Sequence, residues 1–130
     1  MGSKEVFKAG SALAGGVARM GESCGALTGA IMGVCCLVGR EEIEDREQYG
    51  KAMEIAKRVY DRFREQIGHS MCEEIHKIRY GKVYHLIDPE ERKAFHHDGG
   101  HSRTGCPDVC GVAAKIAAEV ILDLQDNAKR

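Results

Sequence analysis

Cys24-Gly25-Ala26-Leu27-Thr28-Gly29-Ala30-Ile31-Met32-Gly33-Val34-Cys35-Cys36-Leu37-Val38 contains no charged residue, and it is bounded by Ser23 and Gly39. Serine is a favoured helix cap and glycine a helix stop, so the stretch reads as a buried helix. Gly25, Gly29 and Gly33 recur every four residues and share a face where another backbone can approach closely. The apolar run from Ala26 to Val38 is shorter than the roughly 20 residues of a membrane span. It therefore predicts a core helix and no membrane span.

Outward from this helix the periodicity stays helical. Upstream, Val6, Ala9, Leu13 and Val17 follow helical spacing, but Gly10, Gly15 and Gly16 weaken the segment Glu5 to Ala18. It reads as a truncated element in need of a packing surface. Downstream, Ile43, Met53, Ile55, Ala56, Val59, Tyr60 and Phe63 form the apolar stripe of a long charged helix from Glu41 to Gln66, closed by Gly68. Ser70-Met71-Cys72-Glu73 has the form of a capping box and starts a short helix to Arg79. Tyr80 to Ile87 reads as a loop or a short extended piece. Asp88-Pro89 opens another helix that ends at His97, with Asp as cap and Pro in the first turn. Cys106-Pro107 opens the last, whose core face is Val109, Val112, Ala113, Ile116, Ala117, Val120, Ile121 and Leu124. The expectation is an all-α fold: one domain over residues 1–130, a compact bundle of about five helices with cysteines at helix N-termini.

Composition narrows the function. The chain has 19 basic and 20 acidic residues and a net charge of −1, without the basic surplus that neutralises nucleic-acid phosphates. Six cysteines with no apolar leader point to the cytoplasm, where clustered cysteines serve metal or redox chemistry more often than structural disulfides.

Three cysteines share a local setting. Cys24 follows Ser23, Cys72 lies inside the capping box, and Cys106 caps the helix opened by Pro107. Free N–H groups and the helix dipole at such positions favour an anion and lower a thiol's pKa. Cys110 sits four residues after Cys106, about 6 Å along the same helix face. Cys35 lies roughly 16 Å along the helix from Cys24, too far to share a small site. Cys24, Cys72, Cys106 and Cys110 thus form a candidate set of four thiolates, which suits an iron–sulfur cluster or tetrahedral zinc. Cys35 and Cys36 read as small hydrophobes of an apolar helix. With no CxxC pair, neither a thioredoxin motif nor a zinc ribbon is supported.

The remaining motifs read as scaffold. His96, His97 and His101 precede Cys106 and read as a solvated loop; the alternative makes one of them a ligand or proton carrier. His69, His76 and His85 read as surface or partly buried side chains. Gly15-Gly16 and Gly99-Gly100 lack the spacing of a phosphate loop.

Cys24-Gly25-Ala26-Leu27-Thr28-Gly29 resembles the C-G-A-x-x-G motif of the redox-active C_GCAxxG_C_C family. Gly15 to Glu22, the later lone Cys72 and the Cys106-Pro107 pair are similar too, so the likeness runs from Gly10 to Leu124. It implies redox function, and some similar domains of multihaem cytochromes carry an iron–sulfur cluster. The family pattern has a further cysteine upstream of the motif, in a helix this chain lacks. Either an N-terminal piece is missing, or Cys110 supplies the fourth thiolate.

Three functions follow as expectations. The first is an electron-transfer protein holding a [2Fe-2S] or [4Fe-4S] cluster on Cys24, Cys72, Cys106 and Cys110, and exchanging electrons with a redox protein partner. The second is a metal-free thiol–disulfide redox protein with Cys24 or Cys106 as the attacking thiolate. The third is a zinc-stabilised helical interaction module. The glycine-rich helix and the weak N-terminal segment predict a homodimer.

Overall fold

The computed structural model describes residues 2–130. Six α-helices follow one another, with no β-strand among the described residues: α1 (Lys4–Ala9), α2 (Gly25–Val38), α3 (Arg46–Ile67), α4 (Cys72–Tyr80), α5 (Pro89–His97) and α6 (Cys106–Ala128). A 3-10 turn, Ser11–Leu13, follows α1.

The core is a triangle of α2, α3 and α6. On α3 the buried positions Ala52, Val59, Phe63 and Ile67 keep helical spacing. They meet Leu27, Ala30 and Val34 of α2 and Val109, Ala113, Ile116, Val120 and Ile121 of α6. Phe63, Val34, Val59 and Val120 exclude solvent entirely at 0% exposure, so the apolar area removed from water by these side chains drives the three helices together. Val112 and Leu124 pack against this core from its margin.

Several expectations change. The helix expected from Glu41 begins at Arg46, capped by Asp45, whose carboxylate accepts the Gln48 amide at 2.8 Å. Ile43 and Met53 are exposed at 74% and 54%, because the stripe facing α2 and α6 runs through Ala52 instead. The glycine-rich helix is only half interior. Leu27, Ala30 and Val34 are buried, whereas Cys36 is exposed and Cys35 half-buried, on sides of α2 that nothing covers fully. These two cysteines are therefore not core hydrophobes. Of the three spaced glycines only Gly25 makes a close approach, its would-be Cβ lying 2.9 Å from the Leu13 carbonyl oxygen. Gly29 and Gly33 face open space.

The segment read as one weak helix breaks up. After α1 and the 3-10 turn, Gly15, Gly16, Val17, Ala18 and Arg19 have φ of 67°, 73°, 65°, 51° and 66°, a left-handed turn of five residues. Each non-glycine in this region costs about 1–2 kcal/mol. Backbone bonds across six residues hold it: the Ala18 amide donates to the Ala12 carbonyl (2.7 Å) and the Glu22 amide to the Gly16 carbonyl (2.8 Å). Glycine at position 16 meets two demands at once. It accepts the positive φ, and a methyl there would lie 2.6 Å from the Cys72 Cβ.

Candidate functional site

The starts of α2 and α4 are stapled side by side. Ser23 and Met71 form an isolated antiparallel bridge. Around it the Cys24 amide donates to the Ser70 carbonyl (2.9 Å), the Cys72 amide to Glu22 (2.7 Å) and the Glu73 amide to Gly21 (3.1 Å). This changes the expected caps. Cys24 itself is the cap residue of α2, and Met71, not Ser70, precedes α4. The Ser70 hydroxyl pairs with the Tyr60 hydroxyl at 3.3 Å, and backbone carbonyls satisfy the amides a capping box would have left to side chains.

The start of α6 is brought to the same place by the end of α4. The Cys106 amide donates both to the Tyr80 hydroxyl (2.9 Å) and to the Gly100 carbonyl (3.0 Å). Arg79 pairs with Asp108 at 2.6 Å and donates to the Thr104 carbonyl at 3.1 Å. Gly105, rather than Cys106, is the cap residue. Any side chain at 105 would lie 2.6 Å from the Tyr80 hydroxyl and the Gly100 carbonyl.

The three helix starts enclose a cavity of about 560 Å³, and Cys24, Cys72, Cys106 and Cys110 all line it. Cys72 is buried, Cys24 and Cys106 are half-buried, and Cys110 is exposed. Cys35 and Cys36 lie outside it. The four sulfurs sense one another: Cys72 with Cys24 and Cys106, Cys24 with Cys106 and Cys110, Cys110 with Cys106. Among the described residues, no three His, Cys, Asp or Glu side chains stand close enough together to hold a single metal ion.

For Cys24 and Cys72 the expected lowering of the thiol pKa does not occur. Burial pushes Cys72 up to about 12, with the neighbouring Cys24 and Cys106 sulfurs and Glu73 adding to it. Burial also raises Cys24 by more than the amides of Ala26 and Leu27, at the start of α2, lower it. Cys110 is raised by burial and by Cys106. Desolvation of an anion outweighs the favourable helix end, and at α4 the end amides are already occupied.

Two donors on α4 reach the sulfurs. His76, one helical turn after Cys72, is buried at 1% exposure, which corrects its reading as a surface or partly buried residue. Its Nδ1 accepts the Tyr84 amide at 3.4 Å, so the ring proton sits on Nε2, which faces the Cys72 Sγ at 3.7 Å. Burial lowers the His76 pKa and keeps the ring neutral. One turn further on, the Tyr80 hydroxyl donates to the Gly100 carbonyl (3.0 Å) and lies 3.5 Å from the Cys106 Sγ. Burial and the contact with Cys106 raise the phenol's pKa, so it stays a donor. Phe95 stacks on His76 at 5.1 Å and Tyr84 closes the aromatic box. The one sequence sign of this pair was a Cys-x-x-x-His spacing on a helix; only the long-range packing of Phe95 and Tyr84 makes it interior.

The histidines before Cys106 divide. His97 is solvated beside Asp98. His96 and His101 line the cavity, with ring centroids 4.4 Å apart.

A family model described as "Putative redox-active protein (C_GCAxxG_C_C)" matches residues 1–120. The chain belongs to this family. Cys24, which opens the stretch Cys24-Gly25-Ala26-Leu27-Thr28-Gly29, is the cap residue of α2 and lies on the cavity wall. No curated protein and no solved structure matches the chain. No helix among the described residues is long and apolar enough to cross a membrane.

Proposed function

We propose that this redox-family chain is an electron-transfer protein that binds an iron–sulfur cluster on Cys24, Cys72, Cys106 and Cys110. The observation that carries the reading is that these four cysteines, and neither of the other two, line one cavity at the start of three helices. Cys72 is buried, Cys24 and Cys106 are half-buried and Cys110 is exposed; as thiolates the four would repel one another, and iron would supply the positive charge that offsets this. When bound, the cluster would take up and release electrons. The chain's own residues would bind it through sulfur, keep water off the Cys72 side with Phe95 and Ile75, and offer the His76 proton to the Cys72 sulfur, with the Tyr80 hydroxyl 3.5 Å from the Cys106 sulfur. Such donors raise a cluster's potential.

The burial of the site weighs against a metal-free thiol mechanism. Thiol–disulfide exchange started by Cys24 needs its thiolate, and burial raises the Cys24 pKa.

The reading also assigns the chain a redox protein partner, a place in the cytoplasm and a homodimeric state. The dimer face is the open apolar groove between α2 and α6, where Gly29, Gly33, Ala114, Ala118 and Leu122 leave a volume of about 630 Å³. Light scattering is expected to give twice the mass of the 14.2 kDa chain; a monomeric mass rejects the dimer.

The test of the cluster is anaerobic purification followed by a visible spectrum and assays for iron and acid-labile sulfide. The expected result is broad absorbance with iron and sulfide in matching amounts. A colourless protein that takes up neither on reconstitution overturns the proposal.

A further inference from the structure

The cavity's charge is sorted. The chain has 20 acidic residues, yet none lines the cavity; its charged lining is Arg19 and Arg92. Its floor is buried and largely apolar or sulfur-bearing, with Cys72, Ile75, Phe95 and Val109, whereas Arg19, His96 and His101 are exposed and form the mouth. Both arginines are uncommitted to carboxylates. The arginine–carboxylate pairs among the described residues are Arg58–Asp123, Arg62–Glu119 and Arg79–Asp108. Arg92 donates to the Leu86 carbonyl at 2.7 Å, which fixes its guanidinium without neutralising it.

Arg19 is held in place at a cost. It ends the left-handed turn at φ 66°, and its stem lies over Gly15, where an added Cβ would come within 2.8 Å of the Arg19 Cα and 3.1 Å of its Cγ. The backbone is bent into an unfavourable region on the wall of this cavity, a kind of strain that gathers at functional sites.

We propose that the mouth of the cysteine cavity is an anion-selective entrance, so that the small molecule meeting the cysteines is a compact carboxylate or oxyanion. This goes beyond the proposed function by naming the class of small molecule that the same cavity admits, and it rests on that cavity being the reactive one. Cationic walls on a concave, poorly solvated site focus field lines and raise the local concentration of anions.

The test compares two alkylating reagents on metal-free protein, one anionic (iodoacetate) and one neutral (iodoacetamide). Each reacts by the same step: the cysteine thiolate forms an S–C bond as the C–I bond breaks and iodide leaves. The thiolate fraction therefore cancels from their rate ratio, which reports reagent charge alone. Rates are read at each cysteine by peptide mass spectrometry, with the exposed Cys36, outside the cavity, as internal reference. At low salt the iodoacetate-to-iodoacetamide ratio at Cys24 and Cys106 is expected to exceed that at Cys36 by on the order of 3- to 10-fold. It is expected to fall towards the Cys36 value at about 1 M salt, where the Debye length is about 3 Å.

Arg19→Gly removes the charge while suiting the left-handed φ, so it is expected to fold and to lose most of the preference; Arg92→Gln is the second variant. Equal ratios at Cys24, Cys106 and Cys36 overturn the proposal, as does failure of both reagents to reach Cys24 and Cys106. A wild-type protein that takes up no iron counts against the cluster alone and leaves this ratio standing.

Discussion

Serine in place of Cys72 is expected to abolish cluster loading, cutting iron and sulfide uptake by at least about tenfold, the scale on which even outer-shell changes act at metal sites. Cys72 is the most enclosed of the four proposed ligands, at 8% exposure. Gly16 crowds its Cβ, His76 faces its sulfur, and the bridge to Glu22 fixes its backbone. A water or a neighbouring side chain has little room to substitute for the lost sulfur. Cys36→Ser serves as the control, since Cys36 lies off the cavity and its loss should leave loading unchanged. Circular dichroism of both variants separates loss of a ligand from loss of fold. Full loading of folded Cys72→Ser protein would remove Cys72 from the site.

The metal-free protein is expected to lose stability steeply as pH rises above 9. In the fold the Cys72 thiol titrates at about 12 against an ordinary 9.0, because burial disfavours its anion. The sign follows from linkage. The folded state holds this proton more tightly than the unfolded state, so the stabilisation is complete below pH 9 and is lost as pH climbs toward 12. At about 1.4 kcal/mol per tenfold change in proton affinity, Cys72 alone accounts for at most about 2 kcal/mol by pH 10.5, and Cys24 and Cys110 act in the same direction. Urea denaturation at pH 7 and near pH 10.5 measures the difference. Cys72→Ala should flatten it, which isolates the thiol from lysines and tyrosines that titrate in the same range. An unchanged slope in that variant would show that Cys72 is not the group responsible.

Much of the scaffold was legible because local rules and tertiary packing agree. Asp88-Pro89 caps α5 as read, the Asp88 carboxylate accepting the Glu90 amide at 2.8 Å. The apolar face of α6 is the one its spacing indicates, with Val109, Ala113, Ile116, Ala117, Val120 and Ile121 buried. Where sequence reading went astray, a long-range contact had overruled a local preference. Ser70-x-x-Glu73 has the form of a capping box, yet strand-like pairing with residues 21–24 takes the amides first. Val17 fits a helical apolar stripe, yet it lies in a left-handed turn that no propensity scale anticipates.

The site divides in the same way. Cysteines near helix starts can be read from Ser23, Pro107 and their neighbours; their electrostatics cannot, because burial depends on the whole fold. His76 illustrates the point: its partners Tyr84 and Phe95 come from the loop after α4 and from α5.

The pairing of Ser23 with Met71 and the seating of Cys106 against Tyr80 have a consequence for biosynthesis. Walls of the cavity come from Gly10, from Cys110 and from segments between them, so a ribosome must have released nearly the whole chain before the pocket exists. Contacts this distant in sequence form late, after loop-closure entropy has been met. A nascent chain therefore displays its thiols singly and open to oxidation, and the proposed cluster would be inserted into the finished protein rather than during translation.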